Sequence, residues 1–75
     1  MDMIAAMRLH ESRIMGLANV TGIGIGEKNG QPAIKVFVSR KLPEAELAGG
    51  QIVPRTLEGH PTDVEEIGIV SAQLG

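Results

Sequence analysis

The residues best suited by type and spacing to chemistry are a glycine string, Gly22-Ile23-Gly24-Ile25-Gly26, and an acidic run behind a histidine, His60, Asp63, Glu65 and Glu66. Alternate glycines invite a phosphate-binding reading, in which backbone N–H groups cradle an anion where a strand turns into a helix. A dinucleotide fingerprint needs a glycine where Glu27 stands and a helix immediately after the motif. A P-loop needs a Gly-Lys-Ser/Thr ending. This chain has none of these. The reading left is structural: glycines at every second position bare one face of a strand, so a bulky side chain such as Phe37 can lie close against it.

His60 and Asp63 are three apart, Glu65 follows, and His10 offers a second imidazole. Together they define the alternative of a small-ligand or metal-binding module in the His60/Asp63 region. A stable site needs three or four converging ligands with outer partners that orient them. His60 sits between Gly59 and Pro61, a turn context in which a histidine is exposed, so no residue is assigned as a metal ligand and no cofactor is expected. A serine-protease triad can be written down from His60, Asp63 and Ser12, Ser39 or Ser71. None of the serines stands on a nucleophile elbow or in a Gly-Asp-Ser-Gly context. Glu65 and Glu66 are adjacent, so on a strand they point to opposite faces and cannot share acid and base roles. The chain is expected not to be an enzyme by itself.

Composition narrows the field further. Seventy-five residues allow one small domain, and with no cysteine there is neither a disulfide framework nor a thiolate zinc site. Phe37 is the one aromatic residue and the formal net charge is -2. A chain so poor in rings and in surplus cations is a poor partner for single-stranded or duplex nucleic acid. Charge is unevenly spread: residues 28–55 carry Lys28, Lys35, Arg40, Lys41 and Arg55, whereas from Glu58 onward there are only acids. The two regions can attract each other, although a solvated mixed surface is the simpler expectation. The first 15 residues, interrupted by Asp2, Arg8 and Glu11, do not make a signal peptide, and no apolar run is long enough for a membrane span. The expected location is cytoplasmic, with no membrane partner.

These residues must be positioned by a few short elements. Asp2 can cap a helix over 2–15 that stops at Gly16, with Met3, Ile4, Met7, Ile14 and Met15 on its core side. Glu11 falls inside that stripe and His10 at its edge, and both are expected to reach out to solvent. Two alternating runs flank Asn29-Gly30, the strongest short-range hairpin signal, so residues 19–40 read as a hairpin. A two-residue turn there sets Ile25 opposite Ile34, Ile23 opposite Val36 and Thr21 opposite Val38. The other face then pairs Gly26 with Ala33, Gly24 with Lys35 and Gly22 with Phe37. Pro43, acidic residues and Gly49-Gly50 predict a short helix over 43–48. Residues 52–61 read as an irregular connection, and 62–70 as a third strand with an irregularity near Glu65-Glu66. The sum is one α+β domain over 1–75, in two layers. A small three-stranded sheet carries an N-terminal helix and a short second helix on the face of Ile23, Ile25, Ile34, Val36 and Val38.

Three strings, taken in order, carry a family resemblance. They are the "NV-x-G-x-G-x-G" strand from Asn19, the "V-F-V-x-x-K-L-P" strand and helix start from Val36, and the return "L-x-G-x-P-T-D-V" from Leu57 to Val64, preceded by Val53-Pro54 where the pattern has "IP". Over about two thirds of its length the chain resembles the N-terminal non-catalytic domain of bacterial trypsin-like serine proteases. The resemblance implies an accessory, pro-type domain whose partner is a trypsin-like protease domain or a second copy of itself. It implies no catalytic residue here. The bared strand face, with Gly22, Gly24, Lys35 and Phe37, is the expected interaction surface, and an unpaired strand edge is the other.

Overall fold

A computed structural model describes residues 1–42 and 52–67. The expected short helix at 43–48 and the last residues of the expected third strand, 68–70, lie outside them. Helix α1 runs Met3–Met15, and the Asp2 carboxylate accepts a hydrogen bond from the Ala5 N–H at 2.8 Å. That bond satisfies one of the donors every helix start leaves open. Gly16 closes the helix with its N–H on the Arg13 carbonyl at 3.2 Å, and Leu17 continues the tight turn onto Ile14.

The buried side of α1 differs from the expected stripe. Ala6 and Ile14 are fully buried and Met3, Met7 and Leu17 pack around them, while Ile4 and Met15 remain 53% and 41% exposed. The helix is therefore turned by roughly 70° from the orientation its large residues suggest. Ala6, too small to mark a stripe by itself, lies in the seam against the sheet. The same rotation turns Glu11 out to solvent and brings His10 inward.

Among the described residues the sheet has four strands in the order β1-β2-β4-β3: β1 Val20–Lys28, β2 Gln31–Val38, β3 Thr56–Leu57 and β4 His60–Glu66. β1 and β2 form the expected antiparallel hairpin about Asn29 and Gly30, whose φ values of 53° and 80° are those a type I′ turn requires. Ile25, Ile23, Gly26, Gly24 and Gly22 meet the partners the turn dictates. Thr21 does not. The register shifts between Val20 and Gly22, so that Val20 rather than Thr21 faces Val38. A bulge there puts an apolar side chain against the core and leaves Thr21 outside, its hydroxyl on the Phe37 carbonyl at 3.3 Å.

β4 lies parallel to β2, with Ile34, Lys35, Val36, Phe37 and Val38 opposite Thr62, Asp63, Val64, Glu65 and Glu66. This pairing is regular, so the irregularity expected near Glu65-Glu66 is absent. The polar residues that break the apolar alternation have partners instead. The segment read as irregular connection contains β3, which pairs with β4 through a tight turn at Glu58 (φ 51°) and Gly59 (φ 82°). Glutamate is not a usual residue for such a turn, and Pro54 and Pro61 disguised the strands on either side.

The core lies between α1 and one sheet face: Ala6, Ile14, Ile34, Val36, Val38 and Leu57. Ile23 packs at its margin, but Ile25 is 45% exposed and not part of it. Fold class and layer order are as the sequence indicates, with one more strand.

Candidate functional site

The sheet face away from α1 collects the residues with most chemical character. Alternation along β2 sends Ile34, Val36 and Val38 to the helix and Ala33, Lys35 and Phe37 to this opposite face. Along β1 it sends Gly22, Gly24 and Gly26 here, and along β4 Asp63 and Glu65. The four expected interaction residues, Gly22, Gly24, Lys35 and Phe37, are thus brought together, as two register neighbours across β1 and β2.

The bared glycine face is not left open. Side chains of its own sheet occupy it. A Cβ on Gly22 would meet Phe37 Cδ2 at 3.5 Å and one on Gly24 would meet Phe37 Cε2 at 3.7 Å, so the ring lies across both. At Gly26 a Cβ would stand 2.6 Å from Lys35 Cγ, a separation real carbon atoms do not adopt. Glycine is needed there because the lysine stem runs directly over the backbone.

Lys35 is 9% exposed, and its ammonium ends between two carboxylates, 2.5 Å from Asp63 Oδ2 and 2.8 Å from Glu65 Oε1. The third donor direction points at the Glu27 carbonyl at 3.5 Å. A buried charge is tolerated when it is paired and its donors are used, and both conditions hold. The hydrogen bonds to Asp63 and then Glu65 raise the Lys35 pKa above its ordinary value, outweighing the opposing effect of burial. Asp63 is lowered, chiefly by the hydrogen bond from Lys35, with smaller help from the fields of Lys28 and Lys41. The attraction between the basic middle and the acidic end of the sequence therefore acts inside the fold, where a solvated mixed surface was the simpler expectation. A lysine held this firmly protonated is the reverse of an amine nucleophile, which needs a depressed pKa.

The alternative cluster does not assemble. His60 and Asp63 lie on opposite faces of β4, three positions apart. His60 Nε2 donates to the Met1 carbonyl at 2.7 Å, while Asp63 and Glu65 are engaged by Lys35. Among the described residues no group of three or more His, Asp or Glu could hold a metal ion. The paper triad fails in the same way. Ser12 is exposed on α1, and Asp63 faces away from His60.

One polar chain has no clear mark in the sequence. Arg13 donates to His10 Nδ1 at 2.8 Å, and His10 Nε2 lies 3.0 Å from Glu58 Oε2. A guanidinium is only a donor, so Nδ1 must present its lone pair and Nε2 must carry the proton it gives to Glu58. The imidazole thereby joins the helix to the β3–β4 turn. The three-residue spacing of His10 and Arg13 on one helix hinted at half of this chain; Glu58 needed the fold.

No family model matches the chain, and no curated protein matches it significantly. Among the described residues no helix is long and apolar enough to cross a membrane.

Proposed function

We propose that this chain is a non-catalytic accessory domain for protein interaction, of the pro type that precedes a trypsin-like serine protease domain. The observation that carries the reading is the sheet face away from α1, which presents Phe37 half-buried beside the charged Lys35, Asp63 and Glu65. Aromatic rings are enriched at the centres of protein contacts, where they act as anchors. The carboxylates and ammonium that could otherwise suggest catalysis are engaged with one another, which favours a binding role over a reactive one. The resemblance of the three sequence strings supplies the partner class, and we assign the domain to the cytoplasm.

The test is capture of a bacterial trypsin-like protease domain by the immobilised chain, repeated with Phe37→Ala. Binding weakened at least tenfold by the substitution, with unchanged circular dichroism, supports the reading. No binding by the wild-type chain at any concentration removes the protease as partner.

A further inference from the structure

We propose that the outer edge of β1 is a self-association site, on which a second copy of this chain adds its own β1 antiparallel about a two-fold axis through Gly24. The proposal deepens the protein-interaction reading, on which it rests, by naming the partner of this edge.

The hydrogen-bond phase of the hairpin says which backbone groups face outward. A two-residue turn makes Lys28 and Gln31 a hydrogen-bonded pair, and antiparallel pairs alternate from there. Gly26, Gly24 and Gly22 then spend their N–H and C=O on β2, while Ile25 and Ile23 aim theirs away from it. Bonds at the other end agree. Ser39 N–H reaches the Asn19 carbonyl at 2.9 Å, whereas the Val38 carbonyl accepts from Ile67 on the β4 side at 3.0 Å. Odd residues of β2 thus face β1 and even ones face β4. Pro32, which has no N–H to give, occupies an even position opposite Glu27, where β1 asks for none. Among the described residues no strand pairs with the outer side of β1.

Edges of this kind are normally guarded by charges, prolines or bulges. On β1 the bulge is confined to Val20–Gly22, and the charges Glu27 and Lys28 to the turn end. The five residues from Gly22 to Gly26 carry no charge and no proline. They are also a palindrome, Gly-Ile-Gly-Ile-Gly, centred on Gly24. A two-fold contact must be self-complementary, since each patch meets its own copy. Antiparallel pairing about Gly24 sets Ile23 opposite Ile25 of the second copy and Gly22 opposite Gly26 of the second copy. The outward N–H and C=O groups of both isoleucines then close onto each other. The same pairing covers the side chain of Ile25, which α1 leaves 45% exposed, with an isoleucine of the other copy. On the far face the paired residues of β1 are all glycines, so no β1 side chain holds the two backbones apart.

Sedimentation equilibrium from micromolar to millimolar concentration, together with amide hydrogen exchange, tests this. The wild-type chain is expected to form a dimer in which the Ile23 and Ile25 amides become protected in step with dimer formation. Ile25→Pro removes an outward donor and no internal bond, so it is expected to be a folded monomer, and Ile25→Val, which keeps the N–H, a dimer. Should the proline variant unfold, Ile25→Lys decides instead, because it buries two ammonium groups at the contact and is expected to be monomeric. A wild-type monomer overturns the proposal, whether its Ile23 and Ile25 amides exchange freely or are covered by another segment of the chain. So does a dimer that survives both Ile25→Pro and Ile25→Lys. A monomer that still captures a protease domain removes the dimer alone, and a dimer that captures none removes the protease reading alone.

Discussion

Lys35 sets the chemistry of the sheet face away from α1, and its protonation can be followed with pH. Asp63 has a lowered folded pKa, so its contribution to stability is present above the ordinary aspartate value of about 4 and is lost as pH falls through the folded one. Lys35 has a raised pKa, so its contribution is present below about pH 10.4 and is lost as pH rises through the folded value. Thermal melting of the wild type is therefore expected to show a plateau between these limits and a decline beyond each. Asp63→Asn should flatten the acid decline and bring the alkaline one to lower pH; identical profiles for the two proteins would dissociate the pair from stability. The glycines beside Lys35 separate by geometry. Gly26→Ala forces the lysine stem aside and is expected to cost about 1–3 kcal/mol in urea unfolding, the range for overpacking. Gly24→Ala makes an ordinary contact with Phe37 and should change stability by less than about 1 kcal/mol, since alanine also suits a strand interior better than glycine.

Each element rests on a small number of local decisions. The Asp2 cap is isolated enough to test alone: Asp2→Ala is expected to cost about 1 kcal/mol and to fray the first helical turn in amide exchange. The first hairpin was legible because two independent signals, Asn29-Gly30 and the alternation on both sides, demand one register. Its bulge was not. Thr21 and Val20 are both acceptable strand residues, and only the need to put Val20 on the core chooses between them. The β3–β4 hairpin was illegible because Glu58 adopts a left-handed conformation that its side chain does not favour. The rotation of α1 was hidden for a comparable reason. Ile4 and Met15 satisfy a helical stripe as well as Ala6 does, and the choice between them is made by the surface the helix packs on.

For the whole molecule the small core is the governing fact. Among the described residues three fully buried large side chains, Ile14, Ile34 and Val36, join α1 to the sheet, and small domains have little stability to spare. Ile14→Ala removes the helix's only large, fully buried contribution and is expected to cost about 2–5 kcal/mol, enough to leave much of the chain unfolded at 37 °C in a calorimetric or circular dichroism melt. A native-like melting temperature for this variant would show that α1 is not integral to the fold. The sequence by itself determined the N-terminal helix up to Met15, the main hairpin with its glycine face, and the α+β class. Each depends on neighbours within a few residues, through caps, turns and alternation. Only the tertiary structure decided that β4 runs parallel to β2 and that Lys35 lies between Asp63 and Glu65. It also decided that His10 reaches Glu58 and that His60 donates to the Met1 carbonyl. Those relations join residues far apart in the chain, and no local preference encodes them. The Lys35 contacts follow from the register that buries Ile34, Val36 and Val38 on one face and thereby sets Lys35, Asp63 and Glu65 on the other.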